Sequence, residues 1–281
     1  MSSAALEVAA SSFVGPDCLV GGSERTTQVD VRPFLLQPKN LKFMSKMDQL
    51  ALAATQQLLE RHPLTPQERA ENTGLYLCVG VLPFEERELR ILGERSQRDG
   101  VYDAARFVSE AMPALNPLTT FKCLPNMAAF HLSHNYGLKE AYLVTYPDRF
   151  QWAQALKAAQ RDLLSGRVEY ALVGAVTHQQ NPLVQNYHRK LGLASDVFTP
   201  DCAGMWLLKK ATGQRPYLKK LHMSYRPPER ASAVHRATCD RGVFFGPVAD
   251  LYAYSCQQSR EFHAHYDNGH YQYQLSIGER P

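Results

Sequence analysis

The chain has 281 residues and a formal net charge of +4, with 44% hydrophobic and 21% charged residues, which is the balance of an ordinary globular protein. The mild charge and the lack of any run of five Lys or Arg argue against a nucleic-acid binder. No apolar run approaches the ~18–20 residues of a membrane span. Because residues 1–7 also lack the pattern of a signal peptide, we expect a cytoplasmic protein.

Helical and extended patterns alternate along the chain, which predicts a layered α/β fold. The strongest helix pattern runs from Leu41 to Arg61, and the nearly all-apolar run from Thr73 to Val81 is typical of a strand covered on both faces. The other predicted strands are Ala4–Phe13, Ala141–Thr145, Tyr170–Val176, Cys202–Lys210, Tyr217–Ser224 and Tyr271–Ile277. The other predicted helices are Glu85–Gly100, Tyr102–Met112, Asn126–Tyr136, Phe150–Ser165 and Phe244–Tyr254. Gly213 and Pro216 predict that the strands on either side of them form a hairpin.

The segment from Asn116 to Ala175 is the most informative part of the sequence. It contains P-N-M-A-A-F-H-L-S from Pro125, G-L-K-E-A from Gly137, an apolar strand, and a helix that runs into G-R-V-E-Y-A-L-V-G-A at Gly166. This order resembles the N-terminal half of a β-ketoacyl synthase, with its P-N-x-x-A-x-H-x-S helix, G-L-x-G-P, strand, nucleophile turn and x-x-G-x-x-D-x-A-L-V-G-G. The resemblance implies a thiolase-like fold with layers in the order α-β-α-β-α.

The nucleophile of that family is missing from this sequence. Counting back from Gly166 without gaps puts Arg149 at the position where the family carries its catalytic Cys. A guanidinium stays protonated and has no electron pair with which to attack a thioester. The two histidine motifs of the family, H-G-T-x-T and G-H-x-x-x-A-x-G, do not occur either. The resemblance therefore implies a condensing-enzyme fold that does not catalyse condensation.

The C-terminal part of the chain is too short for a second complete half. The first thiolase-type unit is traced from about Ala4 to about Ser224, which leaves roughly 57 residues for a unit that needs well over ~100 by the lengths of its parts. We therefore predict a ketosynthase-like half over residues 1–224 and a reduced remnant of the C-terminal half over residues 225–281.

In type II polyketide systems a ketosynthase pairs with a homologous subunit that lacks the nucleophile, the chain-length factor. The resemblance implies that this chain is such a subunit, similar to the short proteins of aryl polyene gene clusters. It would form a heterodimer with an active β-ketoacyl synthase, shape its acyl tunnel and meet an acyl carrier protein through the complex. Chain-length factors commonly carry Gln where Arg149 stands, so a decarboxylase role is not implied. The predicted tunnel and interface residues are Pro117, Leu118, Thr119, Thr120, Phe121, Ala141, Tyr142, Leu143, Val144, Thr145, Phe150 and Trp152.

An alternative remains open, in which the chain is an independent acyltransferase or hydrolase on a degenerate thiolase scaffold. Its catalytic groups would be Cys123, Cys202 or a histidine of the C-terminal group His263, His265 and His270. No G-x-S-x-G elbow, Walker A loop, G-x-G-x-x-G or H-E-x-x-H motif accompanies them, so we expect no cofactor and no metal. For Arg149 we consider two roles, an ion pair with Asp148 or a partner carboxylate, and a side chain that blocks the pocket.

Overall fold

The structure is a computed structural model that describes residues 6–16, 26–146, 149–190, 200–211, 217–225, 246–256, 261–267 and 271–278. Within these residues, eight strands form one mixed sheet and two very short strands form a separate ribbon. The strands are β1 (Leu6–Val14), β2 (Thr73–Val79), β3 (Gln97–Arg98), β4 (Val101–Tyr102), β5 (Tyr142–Thr145), β6 (Tyr170–Thr177), β7 (Cys202–Lys210), β8 (Tyr217–Tyr225), β9 (Glu261–Asp267) and β10 (Tyr271–Gly278).

The order of strands in the large sheet is β5-β2-β6-β7-β1-β8-β10-β9. Strand β2 runs parallel to both of its neighbours, β5 and β6, and all the other pairs are antiparallel. Every residue of β2 is buried, as expected for a parallel strand covered on both faces. The short strand β5 and the strand β9 are therefore the two outer strands of the sheet.

Helices cover both faces of the sheet. The helices α1 and α7 contribute buried residues to one apolar core, and α8 and α10 contribute to the core on the opposite face. The helices are α1 (Lys46–Arg61), α2 (Pro66–Glu71), α3 (Glu86–Arg95), α4 (Ala104–Arg106), α5 (Met112–Ala114), α6 (Pro117–Lys122), α7 (Met127–Tyr136), α8 (Arg149–Ser165), α9 (Pro182–Lys190) and α10 (Gly246–Cys256). A π-helical turn, Phe107–Ala111, joins α4 to α5.

The predicted layered α/β architecture is confirmed, and most predicted elements occur within a few residues of their expected bounds. Gly137 and Gly166 follow α7 and α8 with φ values of 71° and 78°, the left-handed conformation that ends a helix. The α-helix predicted from Leu41 begins only at Lys46, because Ser45 forms a capping box with Asp48. The preceding residues Pro38–Phe43 form a 3-10 segment.

The predicted hairpin of Cys202–Lys210 and Tyr217–Ser224 is wrong. Strand β1 lies between β7 and β8 and pairs with both, so these two strands are not neighbours in the sheet, and Gly213 and Pro216 lie outside the described residues. The helices α2, α6 and α9 and the strand β9 were not predicted from the sequence. Strands β9 and β10, which belong to the predicted C-terminal remnant, extend the same sheet as the rest of the chain. Within the described residues, helices thus cover both faces of one sheet, which gives three of the five layers α-β-α-β-α that the resemblance implies, and the division at residue 224 stays a prediction.

Candidate functional site

Strand β5 forms an open edge of the sheet. It pairs with β2 through residues Tyr142 to Thr145, and among the described residues no strand lies on its other side. The side chain of Leu143 packs toward the core beneath α8, and that of Val144 packs toward the core beneath α1. Tyr142 is 68% exposed. The strand is thus anchored on both faces and free along its outer side.

The aromatic side chain of Phe130, on α7, extends the apolar surface away from this edge. Phe130 is 52% exposed and stacks on His134, with ring centroids 6.0 Å apart. It borders a cavity of about 330 Å³ between α7 and β5, to which Leu138 and Tyr142 also contribute. Phe130 is not among the site residues predicted from the sequence. A Phe that falls between the apolar pairs of an amphipathic helix indicates an exposed aromatic surface, so the helix pattern contained a signal for it.

The helix that follows β5 begins at Arg149, the residue that gapless counting from Gly166 aligned with the nucleophile in the resembling family. Arg149 is the first residue of α8, while its side chain and residues 147–148 lie outside the described part, so neither role considered for Arg149 is tested. Phe150 is half-buried. Trp152 is fully buried and meets Trp206 edge-on at 5.7 Å, so it packs within this subunit's core. Its assignment to a tunnel or interface stays a prediction.

The predicted tunnel segment 117–121 forms most of α6. The side chain of Asn116 caps this helix by accepting a hydrogen bond from the Leu118 amide at 2.9 Å, and Pro117 occupies its first position. Leu118 is half-buried, whereas Pro117 and Thr120 are exposed. Because residues two apart on a helix point in nearly opposite directions, Thr119 and Phe121 face different cavities.

Thr119 faces a charged cavity of about 540 Å³. Its side chain is buried, and its hydroxyl donates a hydrogen bond to Glu88 Oε1 at 2.6 Å. The cations Lys42, Arg87 and Lys122 line this cavity together with the carboxylates of Glu85 and Glu88. An apolar chain that entered here would have to desolvate these charges, which is unfavourable.

Phe121 faces an apolar groove of about 440 Å³ on the other side of α6. Its ring meets that of Phe43 edge-on at 6.2 Å. The remaining lining residues are Gln37, Asn40, Leu124, Met127, Phe130, His131 and His134. Phe130 borders both this groove and the cavity beside β5, so it links the apolar groove to a cavity of mixed polarity at the edge strand. The polar residues in the lining of that cavity are Asn126, Ser133, Lys139 and Glu140.

The cysteines of the alternative hypothesis are not activated. Burial raises the pKa of the Cys202 thiol well above its usual range, and the side chain is fully buried. Burial, with a smaller contribution from Glu88, raises the pKa of Cys123 to about 11. A nucleophilic cysteine needs a lowered pKa, so both thiols are protonated and unreactive at neutral pH.

The histidines do not assemble into a catalytic or metal-binding group in the described part. No three His, Cys, Asp or Glu side chains converge there. His263 and His265 are exposed on β9, and His270 lies outside the described residues. His178 lies 4.0 Å from the buried Asp201 carboxylate, which pairs with Lys46 at 2.8 Å, and burial lowers the pKa of this histidine. That cluster holds the start of α1 against the start of β7 and has no nucleophile.

Within the residues described, no helix is long and apolar enough to cross a membrane. The site is therefore defined by an open strand edge, an adjoining aromatic surface and two cavities beside α6. These features belong to a mixed α/β fold in which the helix after the edge strand begins at Arg149.

The comparison with protein families agrees with this α/β fold. The model of the β-ketoacyl synthase N-terminal domain matches residues 6–206, so the chain belongs to this family. No curated protein sequence matches the chain.

Solved structures confirm the thiolase-like ketosynthase fold. A β-ketoacyl synthase from Burkholderia phymatum aligns with a TM-score of 0.69 at 9% identity, over 99% of this chain and 100% of that chain. A type II polyketide synthase acyl-carrier protein in complex with its ketosynthase bound to the hexaketide aligns at 0.64 and 14% identity, over 98% and 99% of the two chains. The ishigamide ketosynthase/chain length factor aligns at 0.62 and 15% identity, over 99% and 100%.

Proposed function

We propose that this chain is a non-catalytic, chain-length-factor-like subunit that pairs with an active β-ketoacyl synthase and shapes its acyl tunnel. The observation that carries the proposal is that an open, aromatic-flanked edge strand is followed by a helix starting at Arg149 instead of a cysteine. An unpaired edge of this kind favours association with another strand. The ketosynthase partner and the acyl carrier protein of the matched structures are the kinds of partner that we propose for this chain.

The cavities beside α6 support the second part of the proposal. Phe130 links the cavity beside the β5 edge to the groove at Phe121, so a partner seated on β5 would lie next to this groove. Thr119 lines the charged cavity on the opposite side of α6, where its hydroxyl is already bonded to Glu88. We propose that Phe121 contributes to the wall of the shared tunnel and that Thr119 lies behind α6, where added side-chain volume would displace this helix.

The remaining assignments rest on the same heterodimer. The interface would use the strand Ala141 to Thr145, with Tyr142 as its most exposed side chain. We expect the complex to work in the cytoplasm and its product to be a polyketide of the aryl polyene type. The independent acyltransferase or hydrolase is the weaker hypothesis, because Cys123 and Cys202 are both held protonated.

Mass spectrometry of the acylated complex tests the non-catalytic role. After incubation with an acyl-loaded carrier protein and digestion, we expect acyl groups on the cysteine of the ketosynthase and none on this chain. An acyl group on Cys123 or Cys202 would support the independent-enzyme hypothesis instead. The ketosynthase alone, treated in the same way, is the control for label that is lost during digestion.

A further inference from the structure

The apolar groove at Phe121 has a base and a rim of different character. Met127 and His131 at its base are 8% and 2% exposed, whereas Phe121 and Leu124 at its rim are 51% and 44% exposed. Three phenylalanine rings, including Phe43 and Phe130, make up most of its walls. Clefts of a few hundred Å³ with apolar walls and few polar groups are typical of small-molecule sites.

The polar group at the base is the side chain of His131. No hydrogen bond of good geometry satisfies either of its ring nitrogens in the part of the chain that the structure describes, although the Phe43 backbone lies near enough to act as a weak acceptor. This weak hydrogen bond favours the protonated ring, but burial outweighs it and lowers the pKa of His131 to about 4. The imidazole is therefore neutral at pH 7, with one N–H donor, which the Phe43 backbone can accept, and one nitrogen acceptor. Leaving this acceptor unpaired in an apolar site is unfavourable, so a ligand hydroxyl that donates to it would gain binding energy.

The groove also has polar lining residues. Gln37 and Asn40 border it, whereas Lys42, whose ammonium lies 4.9 Å from the centroid of the Phe43 ring, lines the charged cavity on the other side of α6. A ligand that inserts its apolar part between the phenylalanine rings would keep a polar end near the amides of Gln37 and Asn40.

We propose that this groove binds an apolar chain whose buried end carries a hydroxyl group, which His131 hydrogen-bonds. The choice of acyl chains as the ligand class rests on the proposed function, whereas the need for a hydroxyl rests on His131 alone. A side chain of a protein partner is the other possible occupant. It is disfavoured because the groove is already open in the isolated chain and His131 lies at its base, 2% exposed, beneath the more exposed Phe121 and Leu124.

Calorimetric titration with a matched pair of probes, octanoate and 8-hydroxyoctanoate, tests this proposal. In an apolar groove with no polar partner, the added hydroxyl weakens binding about tenfold or more. Because His131 would pair with the hydroxyl, we expect 8-hydroxyoctanoate to bind the unmodified protein at least as tightly as octanoate. A tenfold preference for octanoate, or no binding of either probe, would overturn the proposal.

Two variants make the test specific for the groove. In His131→Phe, which keeps an aromatic ring and removes both nitrogens, we expect octanoate to bind about tenfold more tightly than 8-hydroxyoctanoate. Met127→Trp fills the base and should weaken both probes more than tenfold, while Thr119→Val, in the charged cavity, should change neither. Loss of binding in Thr119→Val would place the site on the wrong side of α6.

The same titration separates this proposal from the proposed function. It needs only the purified chain, and complex formation with a ketosynthase is measured independently. If the isolated chain binds the probe but associates with no ketosynthase, the heterodimer is refuted and the ligand site is supported. Failure of both probes in a chain that does form the complex would refute the site alone. Probe binding to the isolated chain that is lost in the complex would show that the partner occupies the groove, which also contradicts a ligand site.

Discussion

The two open edges of the sheet differ in length and in character. Strand β9 offers seven residues with the exposed side chains of His263 and His265, whereas β5 offers four residues, of which Tyr142 is 68% exposed. Polar side chains on an edge discourage further strand pairing, and an aromatic residue beside an apolar surface favours it. The side chains around an edge, rather than the length of its free backbone, therefore indicate which edge is an interface.

Replacing one residue at each edge should separate them most strongly. Tyr142→Lys places a charge on the edge that we assign to the ketosynthase, and we expect it to weaken the complex more than about 100-fold, as for an aromatic hot spot at an interface. His265→Lys makes the same kind of change on β9 and should leave the affinity within about twofold. Surface plasmon resonance with an immobilised ketosynthase measures both. Equal effects at the two edges would contradict the assignment.

The groove next to the β5 edge contains His131, whose protonation depends on how deeply its side chain is buried. The pKa of His131 is lowered from its ordinary value of 6.5 to about 4, so between these values the unfolded state binds the proton and the folded state does not. The neutral His131 side chain therefore contributes to the free energy of unfolding above pH 6.5, and this contribution is lost as the pH falls toward 4. We expect a loss of about 2 kcal/mol between pH 7 and pH 5.

His131→Phe provides the comparison for this effect, because it cannot take up the proton. Asp48 acts in the opposite direction, since burial raises its pKa from 3.8 to about 7, and its stabilisation is lost as the pH rises through that value. Because both proteins contain Asp48, its contribution cancels when the free energy of unfolding of His131→Phe is subtracted from that of the unmodified protein. Urea unfolding at several pH values should therefore show that His131→Phe loses less stability on acidification than the unmodified protein. Parallel pH profiles would mean that His131 is not buried as described.

Changes of side-chain volume on the two sides of α6 should have intermediate effects on the product. Phe121→Ala enlarges the groove and should lengthen the products or broaden their distribution, and Thr119→Trp should shorten them by displacing α6. A steric clash of this kind costs about 1–3 kcal/mol, enough to stop extension at a given step. Mass spectrometry of the pigments or acyl chains made by each complex gives the answer.

A control is needed because Thr119→Trp also removes the hydrogen bond to Glu88. Thr119→Val removes that bond without adding volume, and its products should match those of the unmodified complex. If Phe121→Ala and Thr119→Trp both form the complex and give the original distribution, α6 does not shape the tunnel. The subunit would then only stabilise its partner.

The smallest expected effect is that of restoring the cysteine. Arg149→Cys puts a thiol at the start of α8, but none of the described histidines lies in a pair that could support condensation, so we expect no gain of activity over the Arg149 protein. A radioactive condensation assay with the isolated variant measures this. Condensation above background would show that the chain has working catalytic residues outside its described part.

Motifs and periodicity predicted the part of the fold that depends on local sequence. Strand β5, the helices on either side of it and the glycines that end those helices follow from apolar periodicity and helix-capping rules. The position of β1 between β7 and β8 did not follow, because pairing across nearly 200 residues is set by tertiary packing and not by turn residues. Nor could the sequence show that Thr119 and Phe121 face different cavities, since α6 itself was not predicted.

Co-expression with an active β-ketoacyl synthase from the same organism, followed by mass measurement of the purified species, tests the central claim most directly. We expect a 1:1 complex whose interface buries more than about 2,000 Å², as in obligate pairs. A chain that purifies as a cooperatively folding monomer and does not associate with the ketosynthase would contradict the account.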